Sequence, residues 1–507
     1  MKKFILVHLL FFFMLFPVGV DFAFADSSQG KILYRQAQGL EKNADYFKAL
    51  ESYKEANVKL EKEGNAELLK QCRNALTRME KICLIYTLTE EDVRNRIKEK
   101  YPDTTDARIN EIIKEGRLPQ LIIGGKTYYF EDCLNTLYHV YPDFRTKEQA
   151  GSLGTITKLF DIMAKYIYEK DTALPGQVLL NPITYEARGE IAIPRDKLPS
   201  RGLLMVWLPL PLVTAAQPNV ESVSVYPEKY IKFPHKLDGD IGLTYMEIPL
   251  EEIEGDLTIG TKFRLTHFEE RFNVDPAKVG EYDKNSTLYK RYTASGKNIA
   301  ITPAIRAAAK KIAGQETNPY LIAKKYYDHV VYDLDYSLTP HPGLEALGIP
   351  ESVFVHEHRY GDCGAQSIYF SALCRSMGIP ARASGGLQLF PSPRTGCGDH
   401  FWAQIYLPNY GWIPVDTSVG QLAKYMPNLR EEQRRDFIEY FFGNLDPFRY
   451  LIQVDVDIPL IPKPDESLIF EMVLQQPTAL CREMNRNPGL LFMEDWNIVF
   501  KPVSDAD

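Results

Sequence analysis

Tyr360-Gly361-Asp362-Cys363-Gly364-Ala365-Gln366 is the stretch that decides how this chain is read. Gly361 and Asp362 are helix-entry residues, because an Asp side chain accepts hydrogen bonds from the N–H groups that a first helical turn leaves without partners. Ala365, Ile368, Ala372 and Leu373 follow at helical spacing, and Gly378 with Pro380 ends the element. Cys363 therefore falls in the first turn, where backbone N–H groups and the positive end of the dipole favour a thiolate. Cys374, eleven residues on, lacks that help.

A thiol nucleophile needs a base, and the base needs a partner that fixes its tautomer. Downstream, Asp399-His400-Phe401-Trp402-Ala403-Gln404-Ile405-Tyr406-Leu407 runs into the turn Pro408-Asn409-Tyr410-Gly411 and returns as Trp412-Ile413-Pro414-Val415-Asp416. This pattern predicts a β-hairpin with His400 on the first arm and Asp416 on the second. Its register is a test. A four-residue loop pairs Leu407 with Trp412 and puts Asp416 opposite Ala403, on the face away from His400, because side chains alternate along a strand. His400 and Asp416 can meet only across a bulge or an odd-length loop between Leu407 and Asp416.

Gly-Asp-Cys at a helix start, the helix exit Cys374-Arg375-Ser376-Met377-Gly378-Ile379-Pro380-Ala381-Arg382, His-x-Trp on a strand and Gly-Trp-Ile-Pro-Val-Asp together resemble the transglutaminase-like superfamily. The order Cys, His, Asp matches, with separations of 37 and 16 residues. Asn318-Pro319-Tyr320 and the helix running to Tyr332 also resemble the family core, so the likeness covers about residues 300–420. The resemblance implies a papain-like α+β core with Cys363 as nucleophile, His400 as base and Asp416 as orienter. The backbone N–H of Cys363 is the first oxyanion donor to consider. Tyr336 and Tyr360 are the expected second donors, and these two with Trp402 are the expected substrate-binding residues. Cys397, three residues before His400, could reach Cys374 or Cys363 as a redox lock. It could equally be a buried thiol.

Composition narrows the function classes. The chain has 507 residues and a net charge of -8, with 45% apolar and 25% charged residues. No basic face or stripe appears, so nucleic acid is not an expected partner. Lys2 and Lys3, the apolar run Phe4–Val20 and Ala23-Phe24-Ala25 before Asp26 read as a secretory signal, which predicts a periplasmic or secreted protein with no membrane span after cleavage. A retained anchor is the other reading. The run holds His8, Pro17 and Gly19 and is short for a span of about 20 residues. The seven cysteines lie apart with no C-x-x-C pair, and no acidic loop has calcium spacing, so neither metal nor other cofactor is expected. His356 and His358 would need a third ligand, and none suggests itself.

The length calls for about three domains at roughly 100–200 residues each. Residues 26–145, after a signal peptide at 1–25, read as helical. Tyr46, Ala49, Tyr53 and Ala56 share one helix face, with Leu33, Ala37 and Leu40 opposite, a pattern resembling one tetratricopeptide-type (TPR-like) hairpin. Residues 146–300 hold strand-like runs at Tyr185–Ile193, Leu203–Leu208, Val220–Tyr226, Gly242–Ile248 and Leu257–Phe272, which suggest a β-sandwich. Residues 301–430 are the expected catalytic domain. Residues 431–507, with strands at Leu451–Ile458, Leu468–Leu474 and Trp496–Val503, would complete that core. The fold class is thus multidomain α+β. The expected function is an exported thiol enzyme acting on peptide or related amide bonds, with hydrolysis favoured over transamidation and a protein or peptide as substrate. The alternative is an inert binding or assembly protein that recruits a partner through the N-terminal helices and the β region.

Overall fold

The computed structural model describes residues 28–168, 178–391, 398–426, 429–464, 472–484 and 495–503. The expected signal segment lies outside these residues. Helices Gln29–Lys42 and Tyr46–Glu63 form a helical hairpin, with Ala37, Ala49 and Ala56 fully buried where the backbones approach. A third helix, Ala66–Ile85, packs against the second. Thr105 caps Asp106–Glu115 by accepting from the Arg108 N–H, and Gly116 ends that helix at φ 67°. The strands Gln120–Ile123 and Lys126–Phe130 turn at Gly124 and Gly125, both at positive φ as a type I′ turn demands. The long helix Pro142–Tyr168 then runs through the position where composition divides the first two regions.

The central region is built on two sheets. Leu179–Ile193 and Leu257–Arg271 pair antiparallel over most of their length, flanked by Asn219–Tyr226, Asn497–Pro502 and Asn444–Leu445. Leu203–Pro209 lies between Leu243–Pro249 and Thr478–Leu480 in the second sheet. Ile191, Ile193 and Ile259 of the first sheet share one apolar cluster with Leu204, Val206, Leu208, Met246 and Ile248 of the second. The tail thus divides its strands. Among the described residues, Arg449–Gln453 joins the sheet that carries His400, while Thr478–Leu480 and Asn497–Pro502 pair with the central region. The expected strand to Ile458 stops at Gln453 because Asp455 and Asp457 are spent on other partners: Asp455 binds Arg375 and the Ala383 N–H, and Asp457 binds Asn298. Residues 465–471, part of another expected strand, lie outside the description, and 472–474 are not in a strand.

The catalytic region is mixed α+β. Its sheet runs Gly411–Val415, Gly398–Leu407, Ala381–Gln388, Arg449–Gln453, every neighbour antiparallel. Helix Cys363–Ser376 packs on this sheet and is buried along nearly its whole length. Helices Pro303–Ala313 and Pro319–Asp333 flank it, started by Thr302 and Asn318 caps with Pro in the first turn. The N-terminal helices dock here through Lys81–Glu345, Arg117–Asp335 (3.0 Å) and a buried Thr136–Ser337 hydroxyl pair (2.7 Å). Among the described residues, no helix is long and apolar enough to cross a membrane.

Candidate active site

Cys363 is the first residue of its helix, half-buried, and not in a disulfide. Asp362 is the cap. Its Oδ1 accepts from the Gly364 and Ala365 N–H groups, each at 3.1 Å. The donors that would hold a negative sulfur are occupied by the carboxylate next door. Burial and Asp362 push the Cys363 thiol far above its ordinary range, with Asp416 and Asp399 adding to the rise. One donor opposes them: the N–H of Phe401 reaches the Cys363 sulfur. That contact ties the sulfur to the strand of His400, one residue away. A thiol raised in this way would need a base to act as a nucleophile.

The hairpin that carries His400 takes the register that an odd loop length requires. Leu407 pairs with Gly411, leaving Pro408, Asn409 and Tyr410 as a three-residue loop. The Tyr410 N–H donates to the Leu407 carbonyl (3.0 Å), with Pro408 second and Asn409 third at φ 74°, the residue preferences of a type II turn. Val415 then pairs with Ala403, which brings Asp416 onto the face of His400. His400 Nε2 meets Asp416 Oδ2 at 2.8 Å. This assigns the hydrogen to Nε2 and leaves Nδ1 as the basic nitrogen.

Asp416 is completely buried and makes four contacts. Oδ1 accepts from the Val419 N–H (3.0 Å), as cap of the short helix Thr417–Leu422, and from Ser418 Oγ (3.2 Å). Oδ2 accepts from His400 and from Arg449 Nη1 (2.7 Å). Burial alone would raise this carboxyl, but His400 and Arg449 outweigh it and hold it far below the usual carboxylate range. Arg449 is itself fully buried and binds Asp446 through Nη2 (2.6 Å) and Nε (3.2 Å). Asp416 therefore belongs to a four-membered chain, His400–Asp416–Arg449–Asp446, whose last two members come from the tail. Sequence reasoning missed both, because an Arg in a run Asp446-Pro447-Phe448-Arg449 carries no local signal of a partner 33 residues upstream.

Other supports were equally silent in sequence. Gln475 Nε2 donates to the carbonyls of Gly386 (2.7 Å) and His400 (3.0 Å), which holds the base's strand from the tail side. Gln366 bridges the Gly361 carbonyl and Gln421, and Gln421 reaches the carbonyl of Leu334. These bonds fasten the nucleophile helix to the segment that carries Tyr336.

The three expected substrate-binding residues separate. Tyr336 stands beside the site: burial, then Cys363 and Asp362, push its hydroxyl well above its ordinary value, so it is a donor at neutral pH. Trp402 is buried instead. Its ring stacks 6.2 Å from that of His400 and lies 5.3 Å from the Arg449 guanidinium. It is a wall for the base, since alternation puts residues 400 and 402 on one face. Tyr360 faces away, packed on Phe354 and His358, with its buried hydroxyl lacking a partner among the described residues. A tyrosine two or three residues from the nucleophile is turned inward by the strand pairing Tyr360↔Asp335. His356 and His358 lie on helix Glu351–His358 rather than on a strand, and Cys397 falls outside the described residues.

Residues 306–417 match the family model of the transglutaminase-like superfamily, a span that contains Cys363, His400 and Asp416. A Haemophilus influenzae protein described as uncharacterized is 23% identical over 309 residues, 54% of this chain and 80% of the relative. Among solved structures, a candidate cysteine protease of Cytophaga hutchinsonii has a TM-score of 0.37 at 12% identity, covering 64% of this chain and 92% of its own. The periplasmic domain of TgpA from Pseudomonas aeruginosa has a TM-score of 0.25 at 12% identity, covering 53% of this chain and 99% of its own.

Proposed function

We propose that this chain is an exported thiol enzyme that transfers the acyl group of a peptide or related amide, normally to water. The observation that supports this reading most is the 2.8 Å His400–Asp416 pair, locked by Arg449, on the same strand whose Phe401 N–H reaches the Cys363 sulfur. In the first step Cys363 Sγ attacks the amide carbonyl carbon while its proton passes to His400 Nδ1. The carbonyl oxygen becomes an oxyanion beside the Cys363 N–H, with the Tyr336 hydroxyl as second donor. The C–N bond then breaks and His400 gives the proton to the leaving amine, leaving a thioester. Water attacks the thioester with His400 again as base, releasing the acid and the thiol. An amine in place of water would give transamidation.

Asp416 stays ionised throughout and stabilises the imidazolium that forms. The basic N-terminal start and small-x-small segment support export, and the N-terminal helices are proposed to add contacts to a protein substrate or partner, in the manner of a TPR-like surface. The test is labelling of the reduced, folded chain with a peptide-like electrophilic thiol probe. Labelling should disappear in Cys363→Ala and persist in Cys374→Ala, whose thiol is fully buried. A folded wild-type chain that takes no label at any pH would overturn the reading.

A further inference from the structure

Behind the nucleophile helix lies a second imidazole with two carboxylates. His341 Nε2 meets Asp362 Oδ2 at 2.8 Å, and its Nδ1 meets Glu351 Oε1 at 2.8 Å. Both ring nitrogens thus face carboxylate oxygens. An imidazole can satisfy two acceptors at once only as the doubly protonated cation. We infer that His341 is a positioning residue for Cys363, a half-buried imidazolium that holds Asp362 as cap of the nucleophile helix and offsets its negative charge beside the sulfur. The inference rests on the reading of Cys363 as the nucleophile.

The geometry makes Asp362 costly without His341. Its Oδ1 caps Gly364 and Ala365, and its Oδ2 takes the Thr339 N–H (3.0 Å) as well as His341. The carboxylate is thereby placed one residue from a sulfur that must become negative during attack. An uncompensated charge there opposes thiolate formation. Burial would lower His341, but Asp362 and Glu351 outweigh it and hold it well above its ordinary value, so the cation persists across neutral pH.

The surrounding charges do not replace it. Glu345, on the same helix as His341, is taken by Lys81 and Lys297. Asp457, which acts on Glu351 from the tail, is engaged by Asn298. Glu351 is pushed up by burial against the pull of His341, and its second oxygen has no partner among the described residues.

The test is the pH profile of Cys363 alkylation by iodoacetamide in the full-length protein, with Cys363→Ala as blank. In His341→Gln the midpoint should move up by about one pH unit, which slows labelling at pH 7 about tenfold. The rate should recover at high pH. Adding Asp362→Asn to His341→Gln should bring the midpoint back, because the charge to be offset is gone. A purely structural His341 would lower the labelled fraction without moving the midpoint, and an unmoved midpoint in folded His341→Gln overturns the inference. Should that variant not fold, nitrogen-15 histidine NMR on the wild type decides: His341 should carry both ring hydrogens at pH 7, and a neutral ring overturns it. If wild-type Cys363 fails to react at every pH, the nucleophile reading itself falls, and this inference with it. If wild-type Cys363 reacts but the midpoint stays put, only the inference falls.

Discussion

Asp416→Asn separates the electrostatics of the site from its shape. The amide keeps an oxygen for the Val419 N–H (3.0 Å) and Ser418 Oγ (3.2 Å), so the cap of Thr417–Leu422 survives. Its nitrogen then faces two donors, His400 Nε2 at 2.8 Å and Arg449 Nη1 at 2.7 Å, and both contacts turn from attraction to opposition. Arg449 is not stranded, because Asp446 still holds it at 2.6 and 3.2 Å. The stability loss should therefore sit near the low end for breaking a buried ion pair, about 3 kcal/mol. The imidazole can regain its contact only by moving the hydrogen to Nδ1, which removes the acceptor that Cys363 needs. For a base held in the wrong tautomer, the rate of acylation should fall by about 10³–10⁴-fold. The assay is the second-order rate of Cys363 acylation by a peptide-like probe, read beside thermal unfolding. A folded Asp416→Asn chain that acylates at the wild-type rate would refute the orienting role and the tautomer argument together.

Three further outcomes are expected. One residue inserted after Asn409 should convert the odd loop to an even one, turn Asp416 from His400 and abolish Cys363 labelling; retained labelling would show that the register does not couple the pair. Thr136→Val should cost about 1–3 kcal/mol by leaving the buried Ser337 hydroxyl without its partner. Adding Ser337→Ala should recover most of that in a double-mutant cycle, and purely additive losses would deny the docking contact. Burial pushes the Glu270 carboxyl up to about 7 from 4.5, with Arg382 and Arg449 offsetting only part. A raised native value means that Glu270 supports the fold fully below its unfolded value and loses that support as pH rises through about 7. Glu270→Gln carries no such charge, so its stability relative to wild type should improve by as much as about 3 kcal/mol between pH 5 and pH 8 in denaturant unfolding. A difference independent of pH would mean that Glu270 is ionised in the native state throughout.

Sequence patterns with a local cause were legible. Thr105 and Gly116 bound a helix, Gly124-Gly125 turn a hairpin, and Tyr185–Ile193 and Leu257–Phe272 alternate as strands, because each depends on residues a few positions apart. Even the odd hairpin loop could be demanded in advance, since alternation along a strand is a rule of the backbone. The transglutaminase-like span was legible for the same reason, as a set of short motifs in order. The surroundings of the thiol were not. A helix start favours a thiolate in isolation, but burial and the Asp362 carboxylate push the thiol up, and both act through space.

The remainder needed tertiary structure. Arg449, held by Asp446, reaches Asp416 from the tail, Gln475 clamps the His400 strand, and His341 with Glu351 stands behind Asp362. Arg449–Asp416, Gln475–His400 and His341–Asp362 lie 33, 75 and 21 residues apart, beyond the reach of any local pattern. Tyr360, adjacent to the site in sequence, is turned into the core, whereas Tyr336, 27 residues before Cys363, stands beside it. The chain by itself determined the order of elements and the candidate reacting groups, because these follow from local backbone preference and side-chain chemistry. Which charges neutralise those groups was decided only by the packed fold, since a buried charge answers to whatever lies within a few ångströms, regardless of its distance along the chain.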